Sequence, residues 1–191
     1  MDGTSTIDVG GLLVPDAGPV FLGALAVHVV AGLVAIGSGA IACTARKQRG
    51  RHPTAGRVYW YALAVVFATA SVLAAVRWRQ DAHLAAIAAV AFGSATAGRW
   101  VRRRLPPSRI TWHAWAMAGS YIALFTGFYV DNGPQLPGWD RLPHVTYWVL
   151  PAAVGVPLCR WALARRHAVA TRPADRTGRP DRLTGPADRT G

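Results

Sequence analysis

The sequence predicts an all-α protein, a polytopic transmembrane bundle of about five helices with its N-terminus outside and its C-terminus in the cytoplasm. Three observations carry that prediction. Five apolar stretches divide residues 20–164, each close to the roughly 20 residues a helix needs to cross about 30 Å of hydrocarbon. Arginines crowd into alternate connections between those stretches, and aromatic side chains gather at their ends. Composition agrees: 52% of the 191 residues are hydrophobic and 16% charged, against about 25% charged in an ordinary soluble domain.

Residues 1–18 are polar and Gly-rich, with Asp2, Asp8 and Asp16 and no basic residue. A secretory signal opens with positive charge, so this stretch reads as a polar N-terminal segment. The bundle occupies 19–166, with spans expected at 20–44, 58–76, 82–101, 110–130 and 143–164. Backbone polar groups in lipid must be satisfied within the segment, which makes these spans helices. The third is mostly alanine with Gly93, Ser94 and Thr96. It is the least hydrophobic and is expected to be buried against its neighbours. Small residues four apart, Ala35 with Gly39, Gly93 with Ala97 and Ala114 with Ala118, allow close helix approach. Gly32, Gly37 and Gly39 mark helix one as the expected central helix. Pro151 and Pro157 each remove a backbone donor and should bend helix five.

The net charge is +12, from 21 basic and 9 acidic residues. In a soluble protein that excess would suggest nucleic acid. Here the arginines lie between apolar runs, and the bilayer is the expected partner, with no nucleic acid. The first connection carries Arg46, Lys47, Arg49, Arg51 and Arg57; the third carries Arg99, Arg102, Arg103, Arg104 and Arg109; helix five ends at Arg160, Arg165 and Arg166. Basic residues concentrate in cytoplasmic loops. Placing these inside leaves only Arg77, Arg79 and Arg141 outside and the other 18 of the 21 in the cytoplasm. That distribution implies a multi-pass protein of the plasma membrane. Tyr59, Trp60, Trp100, Trp112, Trp115 and Trp161 fall at inner ends, and Trp78, Tyr129, Trp139, Tyr147 and Trp148 at outer ends, as two interfacial belts. Cys43 and Cys159 sit at cytoplasmic helix ends, where a disulfide is not expected.

Residues 167–191 form an Arg-, Pro- and Gly-rich tail in which Pro-Ala-Asp-Arg-Thr-Gly occurs at 173–178 and again at 186–191. Such a tail cannot bury a core and is expected to be disordered. Its arginines would hold it near anionic lipid. No repeat is read within the bundle, and five unrepeated helices argue against a transporter acting alone.

Few polar groups could carry chemistry. His28 lies roughly 12 Å below the outer end of helix one at the helical rise. An ionisable group at such depth is a functional candidate, the alternative being a neutral histidine bonded to a neighbouring helix. His52 and His113 lie on the inner side beside Arg57 and Arg109, where anionic headgroups would be attracted. His83 and His144 share the outer side with Asp81, Asp131 and Asp140, types that bind metals but are also ordinary at an interface. Paired histidines raise b-type haem, whose axial ligation needs two imidazoles at one depth. His28 and His83 differ by roughly 9 Å. His83 with His144, or His52 with His113, match in depth at the membrane edges. The sequence has no Gly-rich phosphate loop, Ser/His/Asp set or Cys-X-X-Cys-His. It therefore reads as a non-enzymatic ligand- or lipid-binding or assembly protein, with a second copy as a partner. The alternative is a haem-dependent redox protein using paired histidines.

The first basic connection adds a resemblance. His28, Gly32 and Gly37, then Arg46-Lys47, then His52-Pro53-Thr54-Ala55-Gly56-Arg57-Val58-Tyr59 resemble a bacterial family of predicted membrane proteins of unknown function, marked by a His-Arg-X-X-Gly-Arg-X-Tyr cytoplasmic loop. His113, Trp115, Met117 and Ser120 look like its second cluster. The resemblance covers about residues 20–165 and implies a multi-helix membrane bundle with His28, His52, Arg57 and His113 as its functional candidates. Pro53 replaces the usual Arg, and Gly119 stands near where another Arg often follows the Met.

Overall fold

The computed structural model describes residues 6–9, 12–15, 18–45, 50–139 and 141–170. It consists of a small hairpin and five long helices. The hairpin pairs β1 (Thr6–Val9) with β2 (Leu12–Pro15) antiparallel, Ile7 opposite Val14. A plain polar segment was expected there. The signal lay in the β-prone residues that flank Gly10-Gly11. The helices are α1 (Pro19–Thr44), α2 (Arg51–Val76), α3 (Trp78–Arg104), α4 (Ile110–Asn132) and α5 (His144–Ala170). The last passes the boundary expected at 166. The repeat-bearing remainder of the tail lies outside the described residues, as do Arg46, Lys47, Arg49 and Asp140.

Local chemistry sets the helix ends. Pro19 opens α1 with its φ preset and no donor to satisfy. Gly50, at φ +128°, supplies the left-handed step into α2. Arg77 alone leaves the helical region, and a one-residue joint separates α2 from α3. α3 stops where Leu105 turns extended ahead of Pro106. Arg102, Arg103 and Arg104 in its last turn complement the negative end of the helix dipole. A short turn at Pro107–Arg109 leads into α4. Each helix packs against the next, α1 on α2 through to α4 on α5. The connections after α1 and α3 therefore share one end with the C-terminus of α5, called here the basic end.

Four helices, α1, α2, α3 and the His144–Arg165 part of α5, are long and apolar enough to cross a membrane. Their exposed side chains are themselves apolar: Val20, Val27, Val30 and Leu33 on α1, Val90 on α3, Val149 and Leu158 on α5. A helix apolar on all sides suits a bilayer rather than water. Two expectations change. Averaged over its length α3 is the least hydrophobic, as expected, but it holds a stretch apolar enough to span, whereas α4 does not, because Trp112, His113, Trp115, Ser120 and Tyr121 dilute it. The most buried span is α2 rather than α1. Gly37 and Gly93, expected at helix contacts, are exposed, whereas Ala35, Gly39, Ala91, Ala95 and Gly98 are buried.

That buried set exposes an internal symmetry. A shift of 56 residues takes Ala35 to Ala91, Gly39 to Ala95 and Ala42 to Gly98 in α3. A shift of 61 takes Tyr59 to Ser120, Trp60 to Tyr121, Ala62 to Ala123 and Leu63 to Leu124 in α4. The core is built almost wholly of these equivalents. Their contacts correspond in part. The Trp60 ring lies 5.5 Å from Phe92, while Tyr121, the equivalent of Trp60, donates its hydroxyl at 2.9 Å to the carbonyl of Ile36, the equivalent of Phe92. Tyr59 and Ser120, equivalent to each other, share a buried 2.8 Å hydrogen bond. These shifts relate the hairpin α1–α2 to the hairpin α3–α4, with α5 as an addition, but the packing is not symmetric: α2 packs closely on α3, whereas α4 meets α1 mainly through the Tyr121 side chain. No repeat was read from the sequence because five more residues separate the equivalent positions of α3 and α4 than those of α1 and α2, and few identities are kept.

Candidate functional site

The polar candidates fall into three places. His28, in the first half of α1, places Nδ1 2.9 Å from Thr69 Oγ1 of α2. The threonine hydroxyl can donate onward to Val65 O at 2.8 Å, so an Nδ1–H on His28 completes a short chain that ends in a carbonyl. The geometry is that of a tie between helices.

At the basic end, His52 in the first turn of α2 donates Nδ1–H to the carbonyl of Ala42 on α1 at 2.8 Å. His113, in the first turn of α4, donates Nδ1–H to the carbonyl of Gly98 on α3, also at 2.8 Å. A carbonyl only accepts, so Nδ1 carries a proton in both rings. The two histidines are 61 residues apart and their acceptors 56, so the two bonds occupy equivalent positions in the two hairpins. Arg57 is exposed on α2. The described contacts bring it to neither histidine.

At the opposite end, His83 is exposed near the start of α3, its ring 6.1 Å from Trp148 of α5. His144 is exposed and packs edge-on against Tyr147 of its own helix. Among the described residues no three His, Cys, Asp or Glu side chains are grouped to hold a metal ion. Arg77 at the α2–α3 joint lies 4.0 Å from Asp81 and over the ring of Phe21.

The structure adds a feature that the sequence did not reveal. A groove of about 450 Å³ runs between α3, α4 and α5, lined by Ala86, Ile87, Val90, Gly119, Ile122, Ala123 and Thr126, with His83 and Trp148 at its polar end. Its volume lies in the range of small-molecule sites. The Thr126 hydroxyl is already donated to Ile122 O at 2.9 Å, which leaves His83 and the Trp148 ring as the polar groups of the lining. The groove exists because α5 packs on α4 through close contacts at two places. Gly155 lies against Ile122 and Gly133 lies under the ring of Tyr147. The small residues Ala86 and Gly119 leave space between those contacts. The signal was three small or short side chains, Gly119, Ala123 and Thr126, at helical spacing on α4. Only the position of α5 turns them into a groove.

The aromatic belts are partly redrawn. Trp78 and Trp148 at one end and Trp100, Trp112 and Trp161 at the other are exposed, as interfacial anchors are. Tyr59 and Tyr147 are instead buried, and Trp60 donates its Nε1–H to Thr96 of α3 at 3.1 Å. No family model, curated protein or solved structure matches this chain.

Proposed function

We propose that the protein is a multi-pass plasma-membrane protein, N-terminus outside and basic end in the cytoplasm, that binds a membrane lipid in the groove between α3, α4 and α5. The groove carries this reading. Its walls are aliphatic, as an acyl chain requires, and its one ionisable group stands at the end where a headgroup would lie. The exposed Arg102, Arg103 and Arg104 at the basic end support the orientation. The reading is non-enzymatic: a binding or assembly protein whose groove would be completed by lipid or by a second copy. The His52–Tyr59 segment is proposed as the mark of the bacterial membrane-protein family that it resembles.

Photo-crosslinking tests the lipid. A phospholipid with a diazirine on its acyl chain, reconstituted with the full chain, should label the 86–90 and 119–126 segments. Filling the groove by Gly119→Phe should remove that labelling while leaving background labelling of α1. Equal labelling of α1 and the groove would overturn the reading.

A further inference from the structure

The turn between α3 and α4 carries charge that the chain does not neutralise. At the basic end Arg51 and Arg57 of α2, Arg102, Arg103 and Arg104 of α3, and Arg109 before α4 are all exposed. Among the described residues the acids are Asp8, Asp81 and Asp131. Asp8 belongs to the hairpin before α1. Asp81 and Asp131 lie at the opposite end of the bundle, where Asp81 meets Arg77. Two basic-end cations are taken up by aromatic rings: Arg99 stands 5.0 Å from the Trp60 ring and Arg165 3.8 Å from that of Trp161. Arg102 and Arg109 instead line a shallow notch of about 10 Å³ with Val101, Leu105, Pro106 and Ile110. That is room for one water-sized group, such as a single phosphate oxygen. A guanidinium presents a planar fork of donors that matches phosphate geometry.

We infer that this notch binds the phosphate of an anionic phospholipid. Depth selects a lipid over a soluble anion. Trp100 directly precedes the notch in the chain and Trp112 follows it by two residues, and both rings are exposed. Exposed tryptophans of a membrane helix lie at headgroup level, so the notch lies there too. Its apolar members, Val101, Leu105 and Ile110, then face the upper part of the acyl chains, while the two guanidinium groups meet the phosphate. The surrounding arginines favour a headgroup of net negative charge over a zwitterionic one. The site stands apart from the groove between α3, α4 and α5, and needs only that the chain lie in a bilayer.

The test uses the full chain in symmetric phosphatidylcholine vesicles, each holding a minor share of a lipid with a photoreactive group at the top of its acyl chain. The photoreactive lipid is a phosphatidylglycerol in one set and a phosphatidylcholine in the other. Phosphatidylglycerol should label the 101–110 segment in excess, by about five-fold for each arginine engaged. That excess should vanish in Arg102→Gln/Arg109→Gln. Arg103→Gln/Arg104→Gln removes the same charge from the same turn and should keep most of it. Equal labelling of the wild type by both lipids would overturn the proposal. So would equal loss in the two double variants, which would show a diffuse basic surface instead of a site. Inorganic phosphate at constant ionic strength should leave the excess in place. Its removal by phosphate would assign the notch to a soluble anion and overturn the lipid. Gly119→Phe, which fills the groove, should leave the 101–110 labelling unchanged, so that failure of this site and failure of the groove are read separately.

Discussion

Gly39 is the tightest point of the core. A methyl group there would run into the Tyr121 ring, 2.9 Å from its Cδ2, and lie 3.2 Å from Tyr59. Gly39→Ala should therefore destabilise the bundle by about 1–3 kcal/mol, read as a lowered melting temperature in detergent. Gly37→Ala, which meets nothing within 4 Å, should be neutral or slightly stabilising. The buried Tyr59–Ser120 bond gives a second prediction. Tyr59→Phe strands the Ser120 hydroxyl, which is fully buried, and should cost about 1 kcal/mol. Adding Ser120→Ala should cost less than the sum of the two single changes, because the orphaned group is gone. His28→Leu should be mild, under about 1 kcal/mol, since Thr69 keeps its own carbonyl partners at 2.8 and 3.1 Å. At this scale the sequence named the histidines as candidates but not their partners. The spacing of His28 says that it is deep; only the packing of α1 on α2 says that Thr69 receives it. Gly39 was flagged as a small residue, but the ring that needs the space comes from α4, 82 positions away in the chain.

The five helices were legible as elements because apolar length and loop charge are local properties. Their ranking was not. α3 reads as weak since it is alanine-rich, yet its alanines at 88, 91 and 95 form the buried stripe that α2 and α4 pack against. α4 looks ordinary until its polar aromatics are seen turned inward. Tyr121 reaches α1, and Ser120 reaches α2. α5 holds its place by contact at Gly155 and Tyr147, with Tyr147 also donating its hydroxyl to Trp139 O at 2.7 Å. Gly155→Leu should push α5 from Ile122 and widen the groove. The expected result is faster proteolysis between α4 and α5 and weaker lipid labelling, with the α1–α4 core still folded. Loss of all helical structure in that variant would show α5 to be part of the core rather than an addition to it.

At the scale of the molecule, two hairpins with equivalent core positions enclose the core, and one further helix makes the groove. That architecture explains why histidines recur at matching depth, and why one end gathers the basic residues. Both hairpins turn at that end, and each turn carries arginines. It also fixes sides for a topology test. In a cysteine-free background, Ser108→Cys in the turn before α4 and Gln135→Cys after it are both exposed. A membrane-impermeant maleimide applied to intact cells should label Gln135→Cys and spare Ser108→Cys, with the reverse pattern excluding the orientation. The central claim, a groove made to hold lipid, is tested most directly by native mass spectrometry of the protein released from mild detergent. The wild-type chain should retain one lipid, and Gly119→Phe and Ala86→Phe, which fill the groove from α4 and α3, should lose it while Val30→Phe on the outer face of α1 keeps it. Identical lipid retention in all four proteins, or none in the wild type, would contradict the account.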